Sequence, residues 1–367
     1  MRVLLASPIG RAGGIARWTG HILDYYAKIK GTDSCDMDFL SMTLDHEQNV
    51  ISKGMYHRIK RGLIGYYKVI QQENKILKDQ KYDLIHIASS ASISLLKDIF
   101  MIEVAHRHGV KAVVHFRFGR IPELRDQNNW EWKLLCKVVK IADGVIVLDK
   151  SSYDTLLEMG FTNVKRLPNP VAPQVVEIAT RFAQESREDR SVLFVGHGLR
   201  TKGIYELIDA CREIPNIKVK MLGAILDSTK DDLYCYANHA EWLEIKGEIP
   251  YENVIREMCK CDIFVLPTYT EGFPNVILEG MACSCAIVTT SVGAIPEMLE
   301  EENNKHYGIM VEPQNVEHLK TAIEKMLLDV EFKKECRVNV QQRVNKRYDI
   351  ESVWRQMVNI WRETIVQ

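Results

Sequence analysis

The chain has 367 residues, is 46% hydrophobic and 26% charged, and carries a formal net charge of −1. At ~100–200 residues per domain the length predicts two domains or three, and so balanced a composition excludes a disordered chain, collagen and a long coiled coil. No apolar run approaches the ~18 residues that a membrane-spanning helix needs.

Short apolar runs alternate with helical patterns from the start, which predicts βαβ units and parallel sheets. The opening run, residues 2–7, is too short for a signal peptide and reads as a first strand. It leads into PIGRAGGI, where Gly13 and Gly14 can bring backbone amides to an anion or simply make a tight turn. A second strand is expected at 37–41. Asp36 and Asp38 alternate there with Cys35, Met37 and Phe39. They read as the polar face of that strand rather than as a metal-binding pair.

Residues 53–81 hold the densest positive charge: Lys53, Arg58, Lys60, Arg61, Lys68, Lys75, Lys78 and Lys81, against Glu73 and Asp79. Tyr56, Leu63, Ile64, Tyr66 and Tyr67 are interleaved. This admits a solvated helix with a core-facing stripe, or a basic amphipathic helix resting on anionic lipid. Nucleic acid is the poorer partner, because no comparable basic stripe follows. The asymmetry is wider than this stretch: residues 1–173 hold 25 Lys and Arg against 18 Asp and Glu, and the remainder 23 against 31. Such a chain can turn one face toward an anionic partner.

Further strands are expected at 84–87, 112–116 and 144–148. His115 falls at the carboxyl end of its strand, as a cleft residue or a satisfied core histidine. The stretch LPNPVAP opposes both helix and strand and places a domain boundary within 168–173. A second series follows at 191–195, 218–222, 243–246, 263–266, 286–289 and 308–311. The first of these enters VLFVGHGLRTKG, in which Gly196 and Gly198 allow close approach of backbone and Lys202 offers a point charge for phosphate. Thr201 stands where a dinucleotide fingerprint has its third glycine, no acid ends the next strand, and Gly203 replaces the Ser or Thr of a Walker loop.

The strand at 263–266 enters PTYTEGFPNVILEGMACS. Its turn should end in a helix starting near Asn275, whose free N–H groups suit phosphate or sugar hydroxyls. Glu279 lies one turn into that helix and Glu271 in the loop before it. With no neighbour to shift their acidity, the two carboxylates suit hydroxyl binding better than acid–base work; the plainer alternative is a helix cap and a solvated glutamate. Cys259/Cys261 and Cys283/Cys285 lack zinc spacing and read as small buried hydrophobes, so no metal is expected. Nine cysteines, an odd number, predict free thiols and a reducing cytoplasm. The tail 350–367 reads as an amphipathic helix with Trp354 and Trp361 two turns apart, packing back on the first domain.

EGFPNVILEGMAC (271–283), FVG…KG (194–203), ADGVIVLDKSSYDTLLEMG (142–160), LPNPV and GAIPEML (293–299), in that company, resemble the glycosyltransferases of family 4, also called group 1. The resemblance implies an α/β GT-B fold: two Rossmann-like, doubly wound parallel-sheet domains facing across a cleft, an acceptor-side domain at 1–173 and a nucleotide-sugar domain at 174–349. It implies retaining, metal-independent transfer without a cofactor. The sugar would pass from a nucleoside diphosphate sugar; the basic stretch 53–81 motivates a glycan or lipid-linked acceptor at the cytoplasmic face of a membrane, in cell-surface polysaccharide synthesis. By position, Glu279 would bind the ribose hydroxyls and Glu271 the donor sugar, with backbone of Gly272, Phe273, Pro274, Asn275 and Val276 alongside. Lys202 would neutralise the diphosphate, Gly13 and Gly14 would close over it, and His115 matches the family histidine near the transferred sugar. The family usually has arginine after Gly196; here His197 stands there, and Arg200 or protonated His197 would supply the cation. Base contacts are expected from backbone at 247–250. Two alternatives share the fold: a sugar-nucleotide epimerase, which needs no acceptor, and a non-catalytic nucleotide-sugar-binding protein.

Overall fold

The computed structural model describes residues 1–10, 14–32, 35–43, 55–302 and 304–367, with only the backbone of 55–61 and 63. Gly13 and Lys53 therefore lie outside the described residues, as do the side chains of Tyr56, Arg58, Lys60, Arg61 and Leu63. The chain divides into two units: Met1–Pro168 with Val353–Gln367, and Asn169–Ser352.

The first unit alternates β1 (Arg2–Ser7), α1 (Gly14–Ile29), β2 (Asp36–Ser41), α2 (Met55–Asp79), β3 (Leu84–Ser89), α3 (Ser94–Arg107) and β4 (Lys111–Phe116). It continues with α4 (Ile121–Gln127), α5 (Trp130–Ile141), β5 (Gly144–Val147), α6 (Lys150–Glu158) and β6 (Val164–Arg166). The sheet order is β2-β1-β3-β4-β5-β6, with every pairing parallel. Strands covered by helices on both faces must be apolar throughout; β3 and β5 are buried at every position, and Leu84, Ile85, Ile87 and Val145 lie in the core. β2 is an edge strand, buried only at Met37 and Leu40. Its Asp38 is not simply solvated: Arg2 Nη2 and the Tyr82 hydroxyl both donate to Oδ2, each at 2.7 Å.

The second unit runs α7 (Pro173–Phe182), β7 (Ser191–Val195), a 3-10 turn (Arg200–Lys202), α8 (Ile204–Cys211), β8 (Lys218–Leu222), α9 (Asp227–Tyr236) and β9 (Leu243–Gly247). Then come α10 (Tyr251–Lys260), β10 (Ile263–Leu266), α11 (Asn275–Ala282), β11 (Ala286–Thr290), α12 (Ile295–Leu299) and β12 (Ile309–Val311). Helices α13 (Val316–Leu328), α14 (Val330–Arg347) and α15 (Ile350–Val366) complete the chain. The second sheet has the order β12-β11-β10-β7-β8-β9, again parallel throughout.

The units part at Pro168/Asn169, inside the proline-rich stretch and ahead of the 173/174 bound. Pro173 does not belong to an open linker: it is the first residue of α7, where a missing N–H costs nothing. Along α15, Val353 onward belongs to the first unit. Trp354 packs its ring against Tyr25, Tyr26 and Trp361. β6 is an addition to the expected strands. All nine cysteines are free, and among the described residues no helix is long and apolar enough to cross a membrane.

Candidate active site

In the second sheet the chain winds outward in both directions from the neighbours β7 and β10. Open parallel sheets bind ligands beyond the carboxyl ends of such a strand pair. The two loops that emerge there are 196–203 after β7 and 267–274 after β10. They are stitched together by backbone. Tyr269 N–H donates to the Thr201 carbonyl at 2.8 Å, and the Thr268 hydroxyl reaches the same oxygen at 3.3 Å. Gly203 makes the approach possible: it has φ +71°, and a Cβ there would lie 2.0 Å from the Pro267 carbonyl oxygen. The Tyr269 hydroxyl adds a bond of 2.5 Å to Glu206 Oε1 on α8.

Across these loops Lys202 Nζ donates to Glu271 Oε1 at 2.5 Å, with side chains 21% and 14% exposed. His197 and Arg200 stand exposed on the first loop, and the Arg200 guanidinium lies 5.0 Å from the Tyr205 ring centroid. The amides of Gly196 and Gly198 are not open to a ligand. They donate to the carbonyls of Leu222 and Ala224, both at 2.9 Å, so these glycines seat the loop against the end of β8.

Helix α11 begins at Asn275 with Pro274 as its cap residue, no capping side chain and no acid in its first turn. The N–H groups of Asn275 and Val276 lie in the turn that has no intrahelical acceptors, at the positive end of the helix dipole. Asn169 holds this corner from the other side, donating to Asn275 Oδ1 at 2.8 Å and to the Phe273 carbonyl at 3.3 Å. Phe273 is buried against Tyr348, and the Gly272 carbonyl accepts from Ala294 N–H at 2.9 Å. One turn into α11, Glu279 is 6% exposed and its Oε1 accepts from the Tyr251 hydroxyl at 2.8 Å. Tyr251 opens α10, directly after the loop 248–250. Sequence reasoning passed over Tyr251, Asn169 and Gly293, although LPNPV and GAIPEML contain the latter two.

In the first unit Gly14 opens α1 and is exposed. His115 is fully buried. Its Nδ1 lies 3.2 Å from His86 Nε2, and Arg117 Nη1 donates to its Nε2 at 3.1 Å. Trp361 Nε1 donates to His86 Nδ1 at 2.9 Å, and the Trp18 ring meets His115 edge-on. Burial, reinforced by the Arg117 charge, pushes His86 down to about 3 and His115 well below the usual histidine range, so both are neutral. Among the described residues no three His, Cys, Asp or Glu side chains gather so as to hold a metal ion.

Residues 13–175 match the family model Glycosyltransferase Family 4, and residues 177–343 match Glycosyl transferases group 1. The chain belongs to the group 1 glycosyltransferases. It is 26% identical over 163 residues to the putative teichuronic acid biosynthesis glycosyltransferase TuaC of Bacillus subtilis, covering 44% of this chain and 39% of that one. Matches to the leading curated relatives span 39–45% of those relatives' length. Sucrose-phosphate synthase from Thermosynechococcus elongatus superimposes with a TM-score of 0.77 at 18% identity, over 100% of this chain and 99% of that one. Anabaena HepE, solved with UDP-glucose, gives 0.68 at 16% identity, over 99% and 100%. At such identities these likenesses bear on the fold.

Proposed function

We propose that the protein transfers a sugar, with retention and without a metal, from a nucleoside diphosphate sugar to a glycan or lipid-linked acceptor in polysaccharide synthesis. The observation that carries the reading is the grouping of Lys202, Glu271, Glu279 and the uncapped start of α11 beyond the β7/β10 strand ends. The names of TuaC and of the HepE complex agree with a polysaccharide product and a nucleotide-sugar donor.

In this reading the bond between the anomeric carbon and the diphosphate oxygen breaks, and its electron pair leaves with the nucleoside diphosphate. Lys202 Nζ and the N–H groups of Asn275 and Val276 stabilise the negative charge that grows there. Removing one such donor typically costs ~3–4 kcal/mol of barrier. Glu271, released from Lys202, accepts hydroxyls of the departing sugar, and Glu279 accepts those of the ribose. The acceptor hydroxyl bonds to the anomeric carbon and loses its proton to the released diphosphate or to solvent. Lysine and helix end supply positive charge where a divalent ion would otherwise serve, which supports the metal-independent form. Arg200 or protonated His197 assists at the diphosphate, His115, its Nε2 released from Arg117, serves the transferred sugar, and Gly13 with Gly14 contributes amides; each is tested by its own alanine variant. The free cysteines fit a reducing compartment.

The test is a screen of UDP-, GDP- and ADP-sugars by thermal shift, followed by turnover with and without acceptor. Stabilisation and nucleotide release by the wild type, lost in Lys202→Ala and unaffected by a chelator, support the reading. Conversion of the donor into another sugar nucleotide without acceptor identifies an epimerase, and binding without turnover a non-catalytic protein. The anomeric configuration of the product, read by NMR, decides retention.

A further inference from the structure

In the first unit α3 packs between α2 and α5. All three helices return from strands of one parallel sheet by the same crossover sense, so they run side by side in one direction on one face. The Ser92 N–H donates to Glu131 Oε1 at 2.7 Å, which ties the start of α3 to the start of α5.

Their outward rows share one pattern. On α3 the row is Ile93, Leu96, Phe100, Glu103 and Arg107; on α5 it is Trp130, Lys133, Lys137 and Lys140. On α2 it begins with Ile64 and Tyr67 and goes on through Lys68, Lys75 and Lys78. Within the described residues of each row, apolar side chains come before polar or basic ones along the chain, apart from Glu103. Tyr67, Phe100 and Trp130 are 63%, 52% and 55% exposed. Among the described residues none of the six lysines has a carboxylate partner, and Glu103 is paired with Arg107 at 3.7 Å. The basic stretch seen in α2 is thus half of a feature whose other half, on α5, is spread over 133–140 and escapes notice in the sequence.

We infer that this three-helix face docks on an anionic lipid surface, with the exposed apolar side chains entering the headgroup layer and the lysine rows lying along the charged phosphates. A large apolar patch on a soluble unit marks a contact surface, and a flanking field of unpaired lysines selects a negatively charged one. A second copy is disfavoured, because a self-complementary contact needs acids to match the lysines, and Glu103, the acid on these rows, is paired with Arg107. Nucleic acid would use the charge but leave Ile64, Ile93 and Leu96 exposed. The inference stands without the proposed reaction, since lipid binding is read with neither donor nor acceptor present.

The test is sedimentation of the full chain with vesicles of phosphatidylcholine and of an equimolar phosphatidylcholine–phosphatidylglycerol mixture. The expected result is ~10-fold or greater preference for the anionic vesicles, weakening as salt is raised. Phe100→Ser with Trp130→Ser should lower binding to both kinds of vesicle, and Lys133→Glu with Lys137→Glu should remove the preference. These positions are exposed, and unchanged melting temperatures will show that the variants fold. Quenching of tryptophan emission by lipids brominated on their chains should disappear largely in Trp130→Phe. Equal binding to the two vesicles, binding untouched by the variants, or full competition by soluble glycerol phosphate would overturn the inference. So would a concentration-dependent dimer that the same substitutions dissolve.

Discussion

Lys202 and Glu271, on loops 69 positions apart in the chain, hold one another at 2.5 Å. Both residues are proposed to serve the donor, so binding must exchange one anion for another at the Lys202 ammonium. Glu271→Gln should therefore bind a bare nucleoside diphosphate at least as tightly as the wild type, while losing turnover of the nucleotide sugar. Lys202→Ala should lose ~10–100-fold in affinity for the same diphosphate, the range for a hydrogen bond to a charged group. Calorimetric titration of both variants checks this. Equal weakening by the two substitutions would mean that no exchange occurs.

The Tyr251 hydroxyl steadies Glu279 from the start of α10. Tyr251→Phe removes a hydroxyl that donates to a carboxylate, worth ~1.5–3 kcal/mol, while keeping the ring. If Glu279 receives ribose hydroxyls, this variant should lose part of the preference for a ribonucleoside diphosphate over its 2′-deoxy counterpart. Competition binding with the two ligands measures that ratio. A general loss of affinity with the ratio intact would assign Tyr251 a role in packing alone.

Gly293 has φ +56°, and a Cβ there would sit 2.2 Å from the Glu271 carbonyl oxygen. Backbone cannot yield that far without moving the Glu271 loop. Gly293→Ala should weaken nucleotide-sugar binding although residue 293 carries no chemistry of its own, and should lower the melting temperature by several degrees, as ~1–2 kcal/mol does in a chain of this size. Thermal melting with and without donor separates the two effects.

Glu73 is fully buried between α2 and α3, and neither of its oxygens has a hydrogen-bond partner. Burial pushes its carboxyl up to about 9, against the opposing pull of Lys97. In the folded chain it stays protonated up to about 9, whereas in the unfolded chain it ionises above ~4.3. The unfolded state therefore releases a proton that the folded state retains, and stability falls as pH rises through that window. Glu73→Gln should raise the melting temperature at pH ~8 by several degrees and by much less near pH ~5. A difference that does not vary with pH would exclude the carboxyl as its source.

Much of the fold was legible because buried parallel strands are written as short apolar runs. β3, β5 and β10 show this plainly. β6 did not, since in Val164–Arg166 only the valine is buried. Lys202, Glu271 and Glu279 could be picked out because each follows a strand within a loop or first helical turn. Gly196 and Gly198 misled: glycine in a loop announces close backbone approach, and here the backbone approached is that of β8 rather than a ligand. His115 was legible in position but not in environment, because His86 and Trp18 reach it from β3 and α1, and Trp361 of α15 holds His86 in turn.

The sequence by itself determined the alternation of strand and helix, the division into two units and the segments that carry charge and glycine at strand ends. These are local properties, set by side-chain periodicity and by which residues tolerate a turn. Only the tertiary structure decided the pairings: Lys202 with Glu271, Tyr251 with Glu279, and the lysine rows of α2 and α5 on either side of α3. Those depend on strand order, which places β10 beside β7 and α3 between two basic helices, and strand order arises from long-range packing that no single segment encodes.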